Sequence, residues 1–320
     1  MRSSIIASGS YVPSLKITND DLSTIMDTND EWIQQRTGIK SRYFETKSNA
    51  HMAIEASIAT GIDPNTIDCI VVTTYTPDST IPTVANKVKA ALNIKKDIPC
   101  FDLNAACSGF IYGLEVVDAL LLSRKYKRIL LIGSDFNSRV MDFTDRSTSI
   151  LFGDGAGAVV MELSDHGGLI DNRIHAKDDV GNSIQLSAAN DFINPLNPRS
   201  IDKDHYFKMK GSDVFKFAIK TCTKAIKDMM KDHNLDKEDV DLIIAHQANK
   251  RIIETASKLL DIPLEKFPIN LDRIGNTSAG SIPILMDELF KAGKLKSGMR
   301  VLLVGFGGGL SYGVSYLQIR

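Results

Sequence analysis

The stretch Asp102-Leu-Asn-Ala-Ala-Cys-Ser-Gly-Phe-Ile-Tyr-Gly113 decides how the rest of the chain is read. Ahead of it lies a short polar-edged segment, Pro99-Cys-Phe-Asp102. Behind it Leu114, Val117, Leu120 and Leu121 recur at helical spacing. Cys107 therefore falls just inside an expected helix N-terminus, where unpaired N–H groups and the helix dipole favour an anion. That placement predicts a thiol of lowered pKa and nucleophilic character. A cysteine serving as a small buried hydrophobe is the commoner case, so the remainder of the chain has to decide.

The chain of 320 residues is long enough for a large core and for two similar domains. It is 43% hydrophobic and 24% charged, as in an ordinary soluble protein. A net charge of -1 points away from nucleic acid and from a bulk membrane partner. Cys69, Cys100, Cys107 and Cys222 lack the close spacing of a zinc site or a disulfide framework. The apolar run at the N-terminus is too short for a signal sequence and reads as a first strand ending at Pro13. No apolar stretch approaches membrane-spanning length. These features lead us to expect a cytoplasmic protein.

Helix starts are expected at Thr18-Asn-Asp-Asp and at Thr28-Asn-Asp-Glu, the second in capping-box spacing. Trp32 lies in the second helix with Arg36 on the same face. The pair suits a core aromatic and a platform for a phosphate-bearing heterocycle equally well. A further helix is expected from Asn49 to Thr60, ended by Gly61.

A repeat organises the remainder of the chain. Ile62-Asp-Pro-Asn-Thr-Ile-Asp-Cys-Ile-Val-Val recurs as Leu235-Asp-Lys-Glu-Asp-Val-Asp-Leu-Ile-Ile-Ala, an offset of 241 − 68 = 173 residues. Arg128-Ile-Leu-Leu-Ile-Gly recurs as Arg300-Val-Leu-Leu-Val-Gly, at 300 − 128 = 172. A helix lies between the members of each pair, so a whole α/β unit is duplicated. The units are expected at 1–165 and 166–320. Continuous Ile/Val/Leu runs predict parallel sheets covered by helices on both faces. Phe152-Gly-Asp-Gly-Ala-Gly-Ala lacks the features of a phosphate loop and reads as close backbone packing. Residues 181–207 read as a long functional loop.

Ligands of such sheets gather at the carboxyl ends of strands. Applied to the repeat, this brings together Cys107, Asn276 in Asp272-Arg-Ile-Gly-Asn-Thr-Ser-Ala-Gly-Ser, His246 and the turn Gly305-Phe-Gly-Gly-Gly-Leu-Ser-Tyr-Gly. Cys107 and Asn276 are expected at corresponding places of the two copies. His246 alone among the histidines ends a buried strand; His51, His166, His175, His205 and His233 read as surface residues. The glycine turn can aim backbone N–H groups into an oxyanion hole.

With these residues in hand, the chain resembles the β-ketoacyl-acyl-carrier-protein synthase III family, initiating condensing enzymes of the thiolase fold. The motifs are Asp30-Glu-Trp-Ile-Gln-Gln-Arg-Thr-Gly-Ile, Ala105-Ala-Cys-Ser-Gly-Phe, Phe152-Gly-Asp-Gly-Ala-Gly-Ala, His246-Gln-Ala-Asn-Lys-Arg-Ile, Gly275-Asn-Thr-Ser-Ala-Gly-Ser-Ile-Pro and the glycine turn. The resemblance implies a five-layered α-β-α-β-α sandwich and a homodimer, with no metal and no permanently bound cofactor. Its substrates would be an acyl-CoA and malonyl-acyl-carrier protein. It implies that Cys107 carries the acyl group and that the N–H groups of Cys107 and Gly308 hold the oxyanion. His246 and Asn276 would donate to the enolate, while Phe306 lines the malonyl pocket. For coenzyme A it implies Trp32 and Arg146 sandwiching the adenine, with Arg36, Gly211 and Asn249 on the remainder. Lys216, Arg251 and Lys258 would form a basic rim for the carrier protein. Ile81 would reach the acyl channel of a dimer partner, where an aliphatic residue does not set chain length.

The chain departs from the family in a shorter 49–60 helix and in Ser311-Tyr312 for the usual Thr-Trp. A protease reading of Cys, His and Asn is foreign to a duplicated chain. A relative in secondary metabolism, using the same trio on another acyl group, stays open.

Overall fold

The computed structural model describes residues 1–187 and 206–320. Most of the expected 181–207 loop, including Pro195, Pro198 and His205, lies outside the described residues. At its base β9 (Ile184–Gln185) pairs with β10 (Lys208–Met209).

The first sheet draws on β1 (Arg2–Tyr11), β4 (Cys69–Thr73), β5 (Cys100–Leu103), β6 (Arg128–Asp135) and β7 (Gly155–Ser164), in the order β1-β7-β6-β4-β5. The second draws on β8 (Gly168–Ala176), β11 (Leu242–Ala245), β12 (Arg300–Gly307) and β13 (Ser311–Gln318), in the order β11-β12-β13-β8. A small ribbon, β2 (Leu15–Thr18) with β3 (Ser41–Phe44), stands apart.

The expectation of parallel sheets holds only for β4 with β5 and β6, and for β11 with β12. The remaining pairs are antiparallel. The reason is connection length: a parallel step needs a crossover helix, whereas β12 turns directly into β13 through Gly308–Leu310.

Apolar residues alternate across each strand and so feed separate layers. On β4, Cys69 and Val71 face the middle of the molecule, and Ile70 and Val72 face outward. On β12, Val301 and Leu303 face the middle, and Leu302 and Val304 face outward. The middle layer is α5 (Gly109–Leu122) with α9 (Ser281–Lys291), packed between the two sheets. Outside the first sheet lie α3 (Asn49–Ile58) and α4 (Val84–Ala91). Outside the second lie α6 (Gly211–Asp232) and α7 (Lys250–Leu260). The five layers match the expected sandwich. Sandwiched helices must be apolar on several faces, and α5 buries Phe110, Ile111, Leu114, Val117 and Leu121.

The glycines of Phe152-Gly-Asp-Gly-Ala-Gly serve packing: a Cβ on Gly157 would sit 2.5 Å from the backbone nitrogen of Ile284 on α9. Helix α1 (Asn19–Ser23) is capped by Thr18, with Asp21 completing the box. Helix α2 (Asp30–Thr37) is capped by Asn29, whose side chain accepts the Trp32 N–H. Thr28 was expected there. It stands one residue too early to reach that N–H.

Candidate active site

The ladder register makes the duplication explicit, and it corrects one expected correspondence. Ala106, with φ 46°, precedes Cys107; Ser278, with φ 52°, precedes Ala279. The offset is 278 − 106 = 172, so the counterpart of Cys107 is Ala279. Asn276 instead matches Asn104, at 276 − 104 = 172. The Asn104 side chain accepts the Ala106 N–H at 3.0 Å, and the Asn276 side chain accepts the Ser278 N–H at 2.9 Å. Two identical asparagine-led turns thus meet near the centre of the molecule. Among the described residues the second sheet has no strand matching β5. A short helix, α8 (Leu271–Ile274), stands there, and Asn276 bridges to Phe152 of the first half.

Cys107 sits in the single helical turn Ala106–Ser108, between β5 and α5, and not inside α5 as expected. It is 7% exposed. Burial pushes its thiol up to about 12, against the lowered value expected of a helix N-terminus. The second sheet covers this end of α5, so little water is left to solvate a thiolate. The Ser278 hydroxyl, 3.3 Å from the sulfur, works in the opposite direction.

Gly307 lies against Cys107: a Cβ there would fall 2.8 Å from the cysteine nitrogen. Its lack of a side chain leaves space beside the Cys107 N–H. The glycine turn is tied to the cysteine turn by Ser311, whose hydroxyl lies 2.7 Å from Ser108 Oγ and donates to Gly308 O at 2.7 Å. The departure from the usual threonine keeps a hydroxyl where this tie needs one. Strand β12 runs through Phe306 and Gly307, further than its Val301–Val304 core suggested.

His246 directly follows β11 and is 2% exposed. Burial depresses it to about 3, so it is neutral across the physiological range. Nδ1 lies 2.7 Å from Ser281 Oγ, which also accepts the Gln247 N–H at 3.4 Å. Ser281 thus engages Nδ1 and fixes the orientation of the imidazole, leaving Nε2 as the ring nitrogen it does not hold. Phe306 packs edge-on against the ring at 5.1 Å. The carbonyl oxygen of Asn276's side chain accepts the Ser278 N–H at 2.9 Å, and Asn276 lines a cavity.

That cavity, about 510 Å³, leads outward from Asn276 past Met209, Phe215 and Ala248 to Trp32 and Arg36 at the surface. Gly211, Lys216, Asn249 and Arg251 also line it. Asn249 caps α7 and donates to Arg36 O at 3.1 Å. Lys258 lies two turns further along α7, exposed and away from the lining. The Arg146 guanidinium stands 4.9 Å from the Trp32 ring centre and hydrogen-bonds Asp27. A ring held between them needs about 7 Å, twice a van der Waals contact, so Arg146 has to swing out to sandwich an adenine. Ile81 is 86% exposed and is not brought to the cavity within this chain.

Among the other histidines, His166 and His175 are exposed as expected, but His51 and His233 are half-buried. His233 pairs with Asp171 at 2.8 Å. The residues that sequence reasoning missed are Asp135, Ser278 and Ser281. Aligning the two copies at 172 would have pointed to the first through the glycine turn, since 135 + 172 = 307.

Comparison with known proteins identifies the family and the fold. Residues 101–178 match the model of 3-oxoacyl-[acyl-carrier-protein (ACP)] synthase III, and residues 230–319 match its C-terminal model. The β-ketoacyl-[acyl-carrier-protein] synthase III of Clostridium acetobutylicum is 42% identical over 319 residues, covering 98% of each chain. That of Haemophilus influenzae is 40% identical over 324 residues, covering 99% of this chain and all of its own. The crystal structure of the Aquifex aeolicus 3-oxoacyl-[acyl-carrier-protein] synthase III superposes with a TM-score of 0.91 at 38% identity, covering 99% of each chain. A priming β-ketosynthase from the R1128 polyketide pathway gives 0.90 at 30% identity, covering 99% of this chain and 96% of its own.

Fold and site together define a thiolase-fold condensing enzyme, an acyltransferase. The chain belongs to the β-ketoacyl-[acyl-carrier-protein] synthase III family, the initiating condensing enzymes of fatty-acid synthesis.

Proposed function

We propose that this enzyme condenses a short acyl-CoA with malonyl-acyl-carrier protein, releasing carbon dioxide and forming a 3-ketoacyl product. The observation that carries the reading is a pair of groups fitted to donate: neutral His246, whose Nδ1 is engaged by Ser281, and the Asn276 amide, whose oxygen already accepts the Ser278 N–H. A decarboxylation that leaves an enolate needs two donors on the thioester oxygen and no base.

Cys107 attacks the acyl thioester and keeps the acyl group while coenzyme A departs. The N–H groups of Cys107 and Gly308 hold the tetrahedral oxyanion, in the space that Gly307 leaves open. Malonyl-acyl-carrier protein then enters the same cavity. Phe306 keeps the malonyl carboxylate poorly solvated, and carbon dioxide leaves as His246 and Asn276 stabilise the enolate. Attack on the acyl-Cys107 carbonyl completes the product. Trp32 and Arg146 take the adenine once Arg146 has turned aside, and Arg36, Asn249 and Gly211 hold the chain that leads inward. Lys216, Arg251 and Lys258 receive the acidic carrier protein, and Ile81 enters the channel of a partner in a cytoplasmic homodimer.

The test is a panel of acyl-CoA thioesters with malonyl-acyl-carrier protein, in the unaltered enzyme and in Cys107→Ser. Acetyl or another short group should label Cys107 and turn over, and the variant should hold no thioester-linked acyl group. Turnover confined to long or aryl groups would favour priming in secondary metabolism, the activity that the similar polyketide enzyme suggests.

A further inference from the structure

The reaction begins with a thiol that must lose a proton, and His246 cannot take it. Its Nδ1 is engaged by Ser281, and its depressed pKa makes it a poor base. The group in contact with the sulfur is the Ser278 hydroxyl, which donates to it at 3.3 Å in the resting site. The same hydroxyl lies close enough to Asp135 to draw its carboxyl down, and the N–H of the next residue, Ala279, donates to that carboxylate. Asp135 is fully buried at the end of β6. Its Oδ1 accepts from Thr74 Oγ1 at 2.9 Å, from the Tyr75 N–H at 2.9 Å and from Thr76 Oγ1 at 3.0 Å. Its Oδ2 accepts the Ala279 N–H at 3.1 Å. Four donors fix the carboxylate in place beneath Ser278.

We propose that Ser278 and Asp135 form the proton path of Cys107, with Ser278 touching the reacting sulfur and Asp135 storing the proton behind it. The Ser278 hydroxyl turns its proton from the sulfur towards Asp135, and the Cys107 proton then passes to Ser278 Oγ as the Ser278 proton passes to Asp135. This gives a thiolate, an intact serine and a carboxylic acid. The thiolate forms its bond to the acyl carbon, and the bond to the coenzyme A sulfur breaks; that thiolate takes its proton from solvent. When the enolate later attacks the acyl carbon, Cys107 is expelled as thiolate and recovers the stored proton through Ser278. The path ends as it began.

Asp135 suits the role, since burial raises its carboxyl to about 6. The neighbouring titratable groups are Tyr75 and Cys107, with Asp154 beyond Tyr75. The Tyr75 phenol is held by Asn137 at 2.5 Å and is pushed well above its ordinary value, so it stays protonated. Asp154 is itself raised to about 6 but is bonded to Ser138 and the Glu45 N–H, away from the sulfur.

The mechanistic meaning rests on the proposed condensation, but the test needs no substrate. Cys107 is alkylated with iodoacetamide from pH 5 to 9, the site is identified by peptide mass, and rates are compared for the enzyme, Ser278→Gly and Asp135→Asn. Glycine accepts the positive φ at 278, and thermal melts check both variants. The unaltered enzyme should alkylate at a rate that is flat above about pH 6 and falls below it, where Asp135 fills from solvent. In Ser278→Gly the rate at pH 7 should drop about 10²-fold, a typical loss for a positioned proton acceptor, and then climb tenfold per pH unit. Asp135→Asn should behave alike. Should it unfold, Ser278→Gly decides alone. A plateau that survives in Ser278→Gly, or its absence from the unaltered enzyme, overturns the proposal. A plateau lost on cue in an enzyme that no acyl-CoA acylates would refute the condensation reading and leave the proton path standing.

Discussion

The two asparagine-led turns at the centre of the molecule share a backbone and differ in what fills them. Around Ala279, the Asp135 carboxylate accepts the backbone N–H at 3.1 Å, so the oxyanion-sized space is already taken. Around Cys107, the residue matching Asp135 is Gly307, which puts no side chain in the corresponding space, where the proposed reaction places the substrate oxygen. One copy of the duplicated fold is thus closed by its own acid, and the other is open and armed with sulfur. Duplication supplied the geometry twice. A few substitutions, glycine for aspartate and cysteine for alanine among them, separate the working copy from the structural one.

The largest effect should come from removing the donors that face the open copy. His246→Ala should slow malonyl decarboxylation about 10³-fold, as loss of one preorganised oxyanion donor does, while acyl transfer to Cys107 changes by only a few-fold. Asn276→Ala should behave similarly, with some loss of stability because its side chain also caps the Ser278 turn. Equal loss of both half-reactions would show that donors and nucleophile had been wrongly separated. The pH dependence carries the same information. A histidine held near 3 stays neutral as pH falls from 8 to 5, so decarboxylation by pre-acylated enzyme should stay flat there. A decline centred near 6.5 would mean that His246 titrates normally and acts as a base.

A smaller effect should follow from closing the open copy. Gly307→Ala places a methyl group 2.8 Å from the Cys107 nitrogen, where the carboxylate stands in the other copy. Acylation should fall about 10²-fold through loss of that donor. The overpacked backbone should cost about 1–3 kcal/mol of stability, read as a lower melting temperature. Unchanged acylation would mean that the space beside Cys107 holds no oxyanion.

Much of this organisation was legible in the sequence. The repeat was visible because β4 and β11, and β6 and β12, lie in the core, where burial restricts each position to a few residue types. His246 was found by its place after a buried strand. Less legible were the antiparallel pairings of β7 and β13, since an apolar run has no direction until its connection is known. The elevated thiol pKa was also hidden: a helix start is a local pattern, whereas the desolvation that opposes it comes from the other half of the chain. Ser278 and Ser281 escaped because a serine in a turn has no signature until the partner it faces is placed.

The smallest expected effect separates the outer surfaces of the two copies. Helices α4 and α7 correspond, and both carry cations. On α4, Lys87 is paired with Asp78 at 3.5 Å and Lys89 donates to Ile94 O at 3.0 Å, so local groups occupy them. On α7, Arg251 stands over the Phe215 ring at 5.8 Å, at the lip of the cavity. An acidic carrier protein delivering its arm to that cavity has to settle on the α7 side. Arg251→Glu should therefore raise the KM for malonyl-acyl-carrier protein about 5- to 10-fold with kcat nearly unchanged, the scale of one or two exposed charge contacts. Lys258→Glu, two turns from the opening, should raise it about twofold, and Lys87→Glu not measurably. Raising the salt concentration should shrink the Arg251 difference, because exposed charges are screened beyond about 10 Å at 0.1 M. Equal sensitivity at Lys87 and Arg251 would show that the carrier protein does not distinguish the two copies, and the asymmetry would then end at the buried site.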